Sequence, residues 1–248
     1  MKLAVTTMCW GKLRNEKELG QALHTAREIG YQGIGLEFRL LPQEILRSPE
    51  KLPQMLTQEG LENAGGYFAL RDEQLELAKR SDTRVLWIVS REKDCENAIY
   101  KIEQYVRKSS EVGISIILHN HLRTCFEKED EIIKTLRRIP QLGLCLDTAH
   151  AKAAGINMVR FIKEYADRIK LVHLKDLRQV LPKSKIRFGR DFVNVGEGVI
   201  DFTEIISTLR DVKYDGYLML EIDKTEKNKA DQEVRRGYEY IQTIIRKI

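Results

Sequence analysis

Val85-Leu86-Trp87-Ile88-Val89 is apolar at every position, unlike a strand that has one face in water. Half-exposed strands alternate apolar and polar residues, whereas strands of a parallel sheet covered by helices are apolar almost throughout. Other strand-like stretches follow along the whole chain, and the predicted strands span residues 3–9, 33–38, 63–68, 84–89, 115–120, 143–147, 170–173 and 217–221. The pattern therefore indicates a parallel sheet enclosed by helices.

Amphipathic helices are predicted after these strands, because apolar residues recur there at spacings of three and four, as at Ile99, Ile102 and Val106. The predicted helices span residues 16–29, 44–59, 73–79, 96–111, 128–138, 158–166, 202–210 and 229–248. Eight strand-then-helix units favour an α/β fold with a single (β/α)8 TIM barrel. The 248 residues divide into eight units of about 31. We therefore predict one barrel domain over residues 1–248.

An open, doubly wound sheet is the alternative architecture. It is less favoured because no G-x-G-x-x-G motif follows the first predicted strand. One long connection, roughly residues 177–198, is expected to form a lid over a site at the barrel mouth.

Composition points away from several classes of protein. The chain has 42 basic and 37 acidic residues, and a dispersed net charge of +5 is too mild to indicate nucleic acid as a partner. No segment approaches the ~20 apolar residues that a membrane span needs, and the first seven residues lack an apolar signal core. The four cysteines form no C-x-x-C pair and suggest no disulfide framework, which favours a reducing cytoplasm. They are Cys9, Cys95, Cys125 and Cys145.

Chemically active side chains gather at the predicted strand ends, where such a barrel places its catalytic groups. Four of the five histidines lie there, and the strand ends concerned are His119-Asn120-His121, Asp147-Thr148-Ala149-His150, His173 and Glu221. Spacings of 28 residues from His119 to Asp147 and 26 from there to His173 place these groups on adjacent strands. Imidazole and carboxylate favour Mn²⁺, Co²⁺ or Zn²⁺ over Mg²⁺. We predict one divalent metal ion with four ligands, His119, Asp147, His173 and Glu221.

Two further strand-end residues have alternative interpretations. Glu37 ends the second predicted strand and either contacts substrate or only pairs with a neighbouring arginine. Trp10 follows the first strand and either caps the barrel mouth or fills the first loop.

Five motifs in this order resemble the xylose-isomerase-like TIM barrels. They are H-N-H at 119–121, D-T-A-H at 147–150, H-L-K-D at 173–176, G-E-G-V-I-D-F at 196–202 and L-E-I-D at 220–223. That superfamily contains sugar phosphate isomerases and epimerases, inosose dehydratases, 3-dehydroshikimate dehydratases and the AP-endonuclease type of DNA repair enzyme. The resemblance implies the same four metal ligands, but many members have Glu where this chain has His119. Because family epimerases use that Glu and the strand-8 Glu as opposing acid and base, the departure weakens a symmetrical two-glutamate epimerisation.

The run from His119 to Thr124 is similar to that of the inosose dehydratases. In the related 3-dehydroshikimate dehydratases, the positions that match His121 and Lys175 contact substrate. The resemblance therefore implies catalytic roles for Glu221, His121 and Lys175. It also implies that substrate contacts come from His150 and Arg123, to which we add Glu37 and Trp10.

The implied function is a divalent-metal-dependent isomerase or epimerase of a sugar, sugar phosphate or cyclitol ketone. Glu221 or His121 would remove a proton next to the carbonyl, and the metal would stabilise the enediolate. Lys175 would hold an oxyanion or phosphate, or simply pair with Asp176 or another carboxylate at the rim. The alternative is a dehydratase of the inosose or 3-dehydroshikimate type. The predicted partner is a small polyhydroxylated carbonyl compound, and because family barrels are often dimers or tetramers, a homo-oligomer is a further expectation.

Two other classes are less favoured. An AP-endonuclease-type phosphodiesterase gathers three zinc ions with histidines from earlier strands, and the predicted third and fourth strands end here without histidine. A barrel that binds without turnover is the remaining hypothesis.

Overall fold

Eight parallel strands close into a barrel in the computed structural model, which describes residues 1–223 and 225–248. Going round the barrel, the strands are β1 (Lys2–Thr6), β2 (Gly33–Leu36), β3 (Glu62–Phe68), β4 (Val85–Ile88), β5 (Ser115–His119), β6 (Gly143–Asp147), β7 (Ile169–Leu174) and β10 (Tyr217–Leu220), which returns to β1. The predicted TIM barrel is therefore confirmed. The assignment of residues 1–248 to one domain stays a prediction.

Helices follow the strands and supply the outer layer. They are α1 (Glu16–Ile29), α2 (Gln43–Arg47), α3 (Lys51–Glu59), α4 (Asp72–Arg80), α5 (Cys95–Ser110), α6 (Glu129–Arg138), α7 (Thr148–Ala154), α8 (Met158–Tyr165), α9 (Phe202–Asp211) and α10 (Ala230–Lys247). The prediction of one helix over residues 44–59 is wrong. Pro49 disfavours helical backbone at Ser48, whose φ of −128° and ψ of 64° end α2. No described helix is long and apolar enough to span a membrane.

The first strand is shorter than predicted. It ends at Thr6, and residues Thr7–Trp10 form a 3-10 turn. Cys9 is therefore not in the strand, and its buried thiol packs beside the carbonyl of Leu220.

The inside of the barrel is filled with apolar side chains below the mouth. This inner cluster comprises Ala4, Ala64, Trp87, Ile117, Cys145, Leu171 and Met219. Small residues on neighbouring strands leave room for it, since a Cβ at Gly35 would lie 2.4 Å from the sulfur of Met219. A larger apolar core lies between the strands and the helices. Polar groups inside the barrel are therefore concentrated at the carboxyl-terminal mouth.

The long connection predicted at residues 177–198 contains a small hairpin. Its strands β8 (Asp176–Leu177) and β9 (Phe192–Val193) are antiparallel. The carboxylate of Asp176 accepts hydrogen bonds of 2.7–3.1 Å from the backbone N–H groups of Leu177, Gly196, Gly198 and Ile200. Both ends of the connection are thereby fastened to one buried side chain, and Phe188 and Gly189 between them line the cavity at the mouth. We call residues 177–198 the lid.

Two of the four cysteines form a disulfide, contrary to the prediction that none is paired. Cys95 begins α5 and Cys125 lies in the loop before α6, with a Cα–Cα distance of 5.4 Å that suits a disulfide. The two cysteines are 30 positions apart and the segment that joins them contains α5 and β5, so both ends of this segment return to the same rim of the barrel. Spacing along the chain does not reveal this proximity. Cys9 and Cys145 are free and buried.

Candidate metal centre and substrate cavity

Four side chains with metal-binding atoms meet at the barrel mouth. His119, Asp147, His173 and Glu221 place their nitrogen and oxygen atoms within 4.8 Å of one another, and all four are buried. Nε2 of His119 lies 3.4 Å from Oδ2 of Asp147, and Nδ1 of His173 lies 3.1 Å from Oε2 of Glu221. The structure thus brings together the four residues predicted as ligands, and we call them the ligand cluster.

Several atoms of the ligand cluster are buried and make no hydrogen bond of good geometry with the described residues, although two of them belong to the close pairs given above. They are Nδ1 of His119, Oδ2 of Asp147 and both ring nitrogens of His173. An unsatisfied buried polar atom costs roughly 1–3 kcal/mol, so a group of them needs a physical cause. Two imidazoles and two carboxylates are a donor set that suits one divalent cation, with Mn²⁺, Co²⁺ and Zn²⁺ preferred to Mg²⁺. The residues present therefore fit a metal ion.

Cys145 is a second neighbour of the two ligand imidazoles. Burial raises the pKa of its thiol well above the ordinary value, with the charges of Asp147 and Glu221 adding to the effect. The thiolate is the form that binds metals. The carboxylate-containing set is therefore the better ligand group.

Local structure fixes the ends of β5, β6 and β7. The Asn120 amide donates to the backbone carbonyl of Asp147 at 3.1 Å and accepts from its N–H at 2.8 Å. The Thr148 hydroxyl donates to the carbonyl of Lys175 at 2.6 Å and accepts from the N–H of that residue at 3.0 Å. Asp147 is also the N-cap of α7, because its Oδ1 accepts from the N–H of His150 at 2.9 Å. One carboxylate oxygen of Asp147 is thus used by the helix, and the other is left for the ligand cluster.

Lys175 is the counter-charge of this acidic group. Its ammonium lies 2.5 Å from Oε1 of Glu221, 2.6 Å from Oδ1 of Asp223 and 3.5 Å from Oδ2 of Asp147. Burial alone would lower the pKa of Lys175, but these three carboxylates hold it well above its ordinary value. The predicted alternative was pairing with Asp176 or another carboxylate at the rim, and the contacts with Glu221 and Asp223 are of the second kind. Asp176 is not the partner, because its carboxylate is occupied by backbone N–H groups.

The same ammonium keeps two carboxylates of the ligand cluster ionised. Burial alone would raise the pKa values of Asp147 and Glu221. The charge of Lys175, with the neighbouring imidazoles, outweighs burial and holds both values well below their ordinary range. Asp223 differs, since burial raises its pKa despite the contact with Lys175. The site therefore presents two carboxylates in their ligand form.

A cavity of about 350 Å³ lies over the ligand cluster. Five predicted site residues line it, namely Glu37, His119, His121, Lys175 and Glu221. The sequence prediction missed other lining residues, which are Met8, Arg39, Tyr67, Trp87, Val89, Arg91, Phe188, Gly189 and Asp223. Several lie within or directly after β2, β3 and β4, whose ends lack the histidines that mark the other site strands. Among these residues, Asp223 was the one that the sequence could have indicated, because it is acidic and lies two positions after Glu221.

Three predicted substrate contacts do not line this cavity. Trp10 donates from its indole to Asp231 at 2.7 Å and so joins the first loop to α10. His150 is buried, and its Nδ1 accepts from the N–H of Leu122 at 3.1 Å. Arg123 donates to lid carbonyls and lines a neighbouring cavity. Each of them supports the walls of the site in this structure.

His121 is neutral in this environment. Burial lowers the pKa of its imidazole to about 4, and the neighbouring His119 adds to the effect. Nδ1 lies 2.7 Å from the carbonyl oxygen of Leu122. Because a carbonyl only accepts, Nδ1 holds the ring proton and Nε2 keeps its lone pair. The side chain can therefore accept a proton at Nε2.

Glu37 lies across the barrel from β6, because β2 and β6 are four places apart in the ring of eight strands. Its carboxylate pairs with Nε of Arg39 at 2.9 Å, while the ring of Tyr67 lies under the same guanidinium. Burial raises the pKa of Glu37 to about 7, with a contribution from the charge of Glu221. Glu37 can therefore either hold or accept a proton near neutral pH.

Replacing Glu37 by Gln is expected to remove part of the pH dependence of stability. Since the pKa of Glu37 is about 7 in the folded chain and 4.5 ordinarily, the folded state binds more protons between these values. The free energy of unfolding should therefore fall by roughly 3 kcal/mol as the pH rises through this window. Urea unfolding at pH 4.5 and pH 7.5, with a chelator present, measures the free energy of unfolding of both proteins. Between these two pH values it should fall by this amount more in the wild type than in the variant. Parallel pH profiles for the two proteins would contradict the expectation.

The fold and the site together place the protein in one class. It is an eight-stranded α/β barrel whose mouth holds a buried cluster of imidazole and carboxylate groups that suits a cation. The chain belongs to the xylose isomerase-like TIM barrel family, whose model matches residues 23–244. A curated inosose dehydratase from Clostridium beijerinckii is 32% identical over 146 residues, which cover 54% of this chain and 47% of that enzyme. The chain spans about half the length of the curated relatives that it matches.

Solved structures agree with the fold along the whole chain. The IolI protein, crystallised with a bound zinc atom, superposes with a TM-score of 0.82 at 18% identity and covers 100% of this chain and 99% of its own. A D-allulose 3-epimerase from Methylomonas sp., crystallised with D-allulose, superposes with a TM-score of 0.77 at 15% identity, covering 98% and 96%. Two of the named relatives are thus enzymes, one a dehydratase and the other an epimerase.

Proposed function

We propose that the protein is a divalent-metal-dependent dehydratase of a small cyclic polyhydroxylated ketone of the inosose type. The observation that carries the proposal is the imidazole of His119 at the end of β5, which leaves Glu221 as the one glutamate of the ligand cluster. A symmetrical pair of glutamates across the metal site is therefore absent from the described cluster. The inosose dehydratases among the curated relatives support the same reaction class.

The ligand cluster is proposed to hold one divalent cation, Mn²⁺, Co²⁺ or Zn²⁺ rather than Mg²⁺. When bound there, the cation supplies Lewis-acid charge that polarises the carbonyl and hydroxyl oxygens of a substrate. The zinc atom in the IolI structure is consistent with this proposal. The cavity above the cluster, of about 350 Å³, is at the small end of the usual range for ligand pockets and suits one sugar-sized ring.

His121 is proposed as the base that removes the proton next to the carbonyl. Its Nε2 has a free lone pair, whereas the carboxylate of Glu221 is shared between Lys175 and the ligand cluster. Glu221, the other predicted base, is therefore the weaker candidate. Lys175 has three N–H donors, and two of them are used at short distance by Glu221 and Asp223. The third can donate to the oxyanion that forms as the proton leaves.

The hydroxyl group on the carbon β to the carbonyl must then leave as water. This step requires a proton donor that lines the same cavity. Glu37 lines the cavity, and with a pKa of about 7 it retains a proton in part of the molecules at neutral pH. We assign the protonation of the leaving hydroxyl to Glu37, with Arg39 holding its carboxyl group in place. The products are one water and an enol that rearranges to a diketone.

Replacing His121 by Asn is expected to lower kcat/KM by about 10²-fold or more, because general bases contribute 10²–10⁴-fold in enzymes. The metal content should not change, because His121 is outside the ligand cluster. The steady-state rate of water loss from an inosose, followed by mass spectrometry beside a metal assay, checks both points. His24→Gln on the exposed face of α1 is the matched control and should change neither. Full activity in His121→Asn would reject this assignment.

An isomerase or epimerase is the second candidate function. Glu37 and Glu221 both line the cavity, so two carboxylates could act from different strands even though His119 replaces the usual one. The first step, proton removal next to a carbonyl, is common to both candidates. A product that has the mass of the substrate would indicate isomerisation, and a product that lacks one water would indicate dehydration.

The other partner and compartment expectations stay predictions. A small polyhydroxylated carbonyl substrate is part of the proposal above. A cytoplasmic location, a homo-oligomer, and the absence of nucleic-acid and membrane partners rest on the sequence.

A further inference from the structure

The disulfide between Cys95 and Cys125 lies in the wall of a cavity beside the proposed active site. A second cavity, of about 620 Å³, adjoins the substrate cavity, and Val89, Arg91, His121 and Phe188 line both. The two disulfide cysteines line this second cavity, and neither is fully buried. A reductant in solution can therefore reach the sulfur atoms through an open part of the surface.

Cys125 belongs to the loop of residues 120–128, which begins directly after His119 and contains His121. The loop has no helix or strand, and its Arg123 has a left-handed φ of 63°. Some of its hydrogen bonds are internal, for example from the Thr124 hydroxyl to the carbonyl of His121 at 2.8 Å. Others join it to β6, to α7 and to the lid. We call this segment the His121 loop.

The disulfide is the main tie between the His121 loop and the neighbouring β4–α5 segment. Among the described residues, the polar contacts from the loop to residues 89–95 all involve the sulfur of Cys125, beside the carbonyls of Glu92 and Lys93. No ion pair joins these two described segments. Breaking the disulfide would therefore leave this side of the loop without a polar anchor.

The His121 loop is coupled to the lid. Arg123 donates to the carbonyl of Ile186, and its guanidinium lies 4.9 Å from the ring centre of Phe188. Glu127 pairs with Lys183 of the lid at 3.0 Å. Phe188 in turn packs against His121, with ring centres 5.2 Å apart. A displacement of the loop would therefore reach both the proposed base and the cavity cover.

We propose that Cys95–Cys125 is a reversible thiol–disulfide modification site that fastens the His121 loop when oxidised and releases it when reduced. A thiolate of a dithiol reductant attacks one sulfur, forming a mixed disulfide and releasing the other cysteine as a thiolate. The second thiol of the reductant then displaces the remaining cysteine. Two electrons and two protons pass to the protein, giving two cysteine thiols and the disulfide form of the reductant. Cys95 at the first position of α5 is placed where the helix terminus stabilises a thiolate.

The consequence for catalysis rests on the proposed dehydratase function. With the disulfide intact, the unfolded and locally open forms of the loop are restricted, so His121 stays in position. After reduction, the loop and the lid should open more often, and kcat/KM should fall at least about tenfold, since small misplacements of catalytic groups cost up to ~10²-fold.

The test compares the full-length protein after oxidation, after reduction with dithiothreitol, and after reoxidation, beside a Cys95→Ser/Cys125→Ser variant. Alkylation and peptide mass spectrometry should find two additional reactive cysteines after reduction, on the peptides that contain Cys95 and Cys125. Hydrogen exchange should accelerate in residues 120–128 and 177–198 and return to its first rate on reoxidation. The double variant should resemble the reduced protein and should not respond to dithiothreitol.

Several outcomes would overturn the proposal. They are cysteines that alkylate equally before and after reduction, an unchanged exchange rate at residues 120–128, and exchange that does not recover on reoxidation. Alkylation and exchange need no substrate, so they test the modification site even if the dehydratase assay fails. If the protein is a dehydratase and its rate is the same in the oxidised and reduced forms, the proposed link between the disulfide and catalysis is wrong. The proposed function would still hold.

Discussion

Asp147→Asn should remove the divalent cation and lower kcat/KM by roughly 10³-fold or more, since a catalytic metal contributes several kcal/mol of transition-state stabilisation. The substitution removes one of two carboxylates from the ligand cluster. It keeps a side-chain oxygen for the N–H of His150, so α7 retains an N-cap of similar quality. Loss of activity should therefore not reflect loss of the fold. Metal content by mass spectrometry and the rate of water loss from an inosose measure the two effects.

Asp201→Asn is the matched control for this variant. Asp201 caps α9 through a bond of 3.0 Å from the N–H of Glu204, and it is exposed and outside the ligand cluster. The same chemical change there should alter neither metal content nor rate. If Asp147→Asn retained one cation per chain and full activity, the assignment of the ligand cluster would be wrong.

Lys175→Met is expected to have the largest effect on the stability of the cation-free protein. The substitution removes the buried ammonium that contacts Glu221 and Asp223 and leaves buried carboxylates without a counter-charge. Removing one partner of a buried ion pair typically costs about 3–5 kcal/mol. A divalent cation should restore a substantial part of the loss, because it supplies positive charge to Asp147 and Glu221.

Urea unfolding of Lys175→Met with chelator and with Zn²⁺ or Mn²⁺ measures both parts of this expectation. Lys170→Met is the control, because among the described residues that exposed lysine of β7 donates to the backbone carbonyl of Asp167 and to no side chain. The control should unfold near the wild-type urea concentration in both conditions. Equal stability of Lys175→Met and the wild type in chelator would show that Lys175 is not the counter-charge described above.

Much of the barrel could be predicted from local sequence, because each strand had its own signal. The apolar run at Val85–Ile88 and the similar stretches elsewhere predict parallel strands wherever helical periodicity follows. The break in the second predicted helix at Pro49 was also readable from the proline itself. Helix α7 was missed because its seven residues are too few to establish a periodic pattern. The β8–β9 hairpin was missed because its strands have two residues each.

The ligand cluster could be predicted because its members lie at or next to the carboxyl ends of strands, and these ends converge in a barrel. The partners of these residues could not be predicted in the same way. Asn120 and Thr148 act through the backbone of neighbouring strands, which spacing does not reveal. Asp223 lies after the last strand. Its contact with Lys175 depends on how the segments that follow β7 and β10 turn at the rim of the barrel. The cysteine pair was missed for the same reason, since it joins two loops across α5 and β5.

Metal-dependent dehydration can be tested directly by following an inosose in deuterated water by NMR and mass spectrometry. The first sample contains the protein and Mn²⁺, the second the protein and chelator, and the third Asp147→Asn and Mn²⁺. We expect the proton next to the carbonyl to disappear and one water to be lost only in the first sample. Water loss at the same rate in chelator or in Asp147→Asn would contradict a metal-dependent dehydratase centred on the ligand cluster.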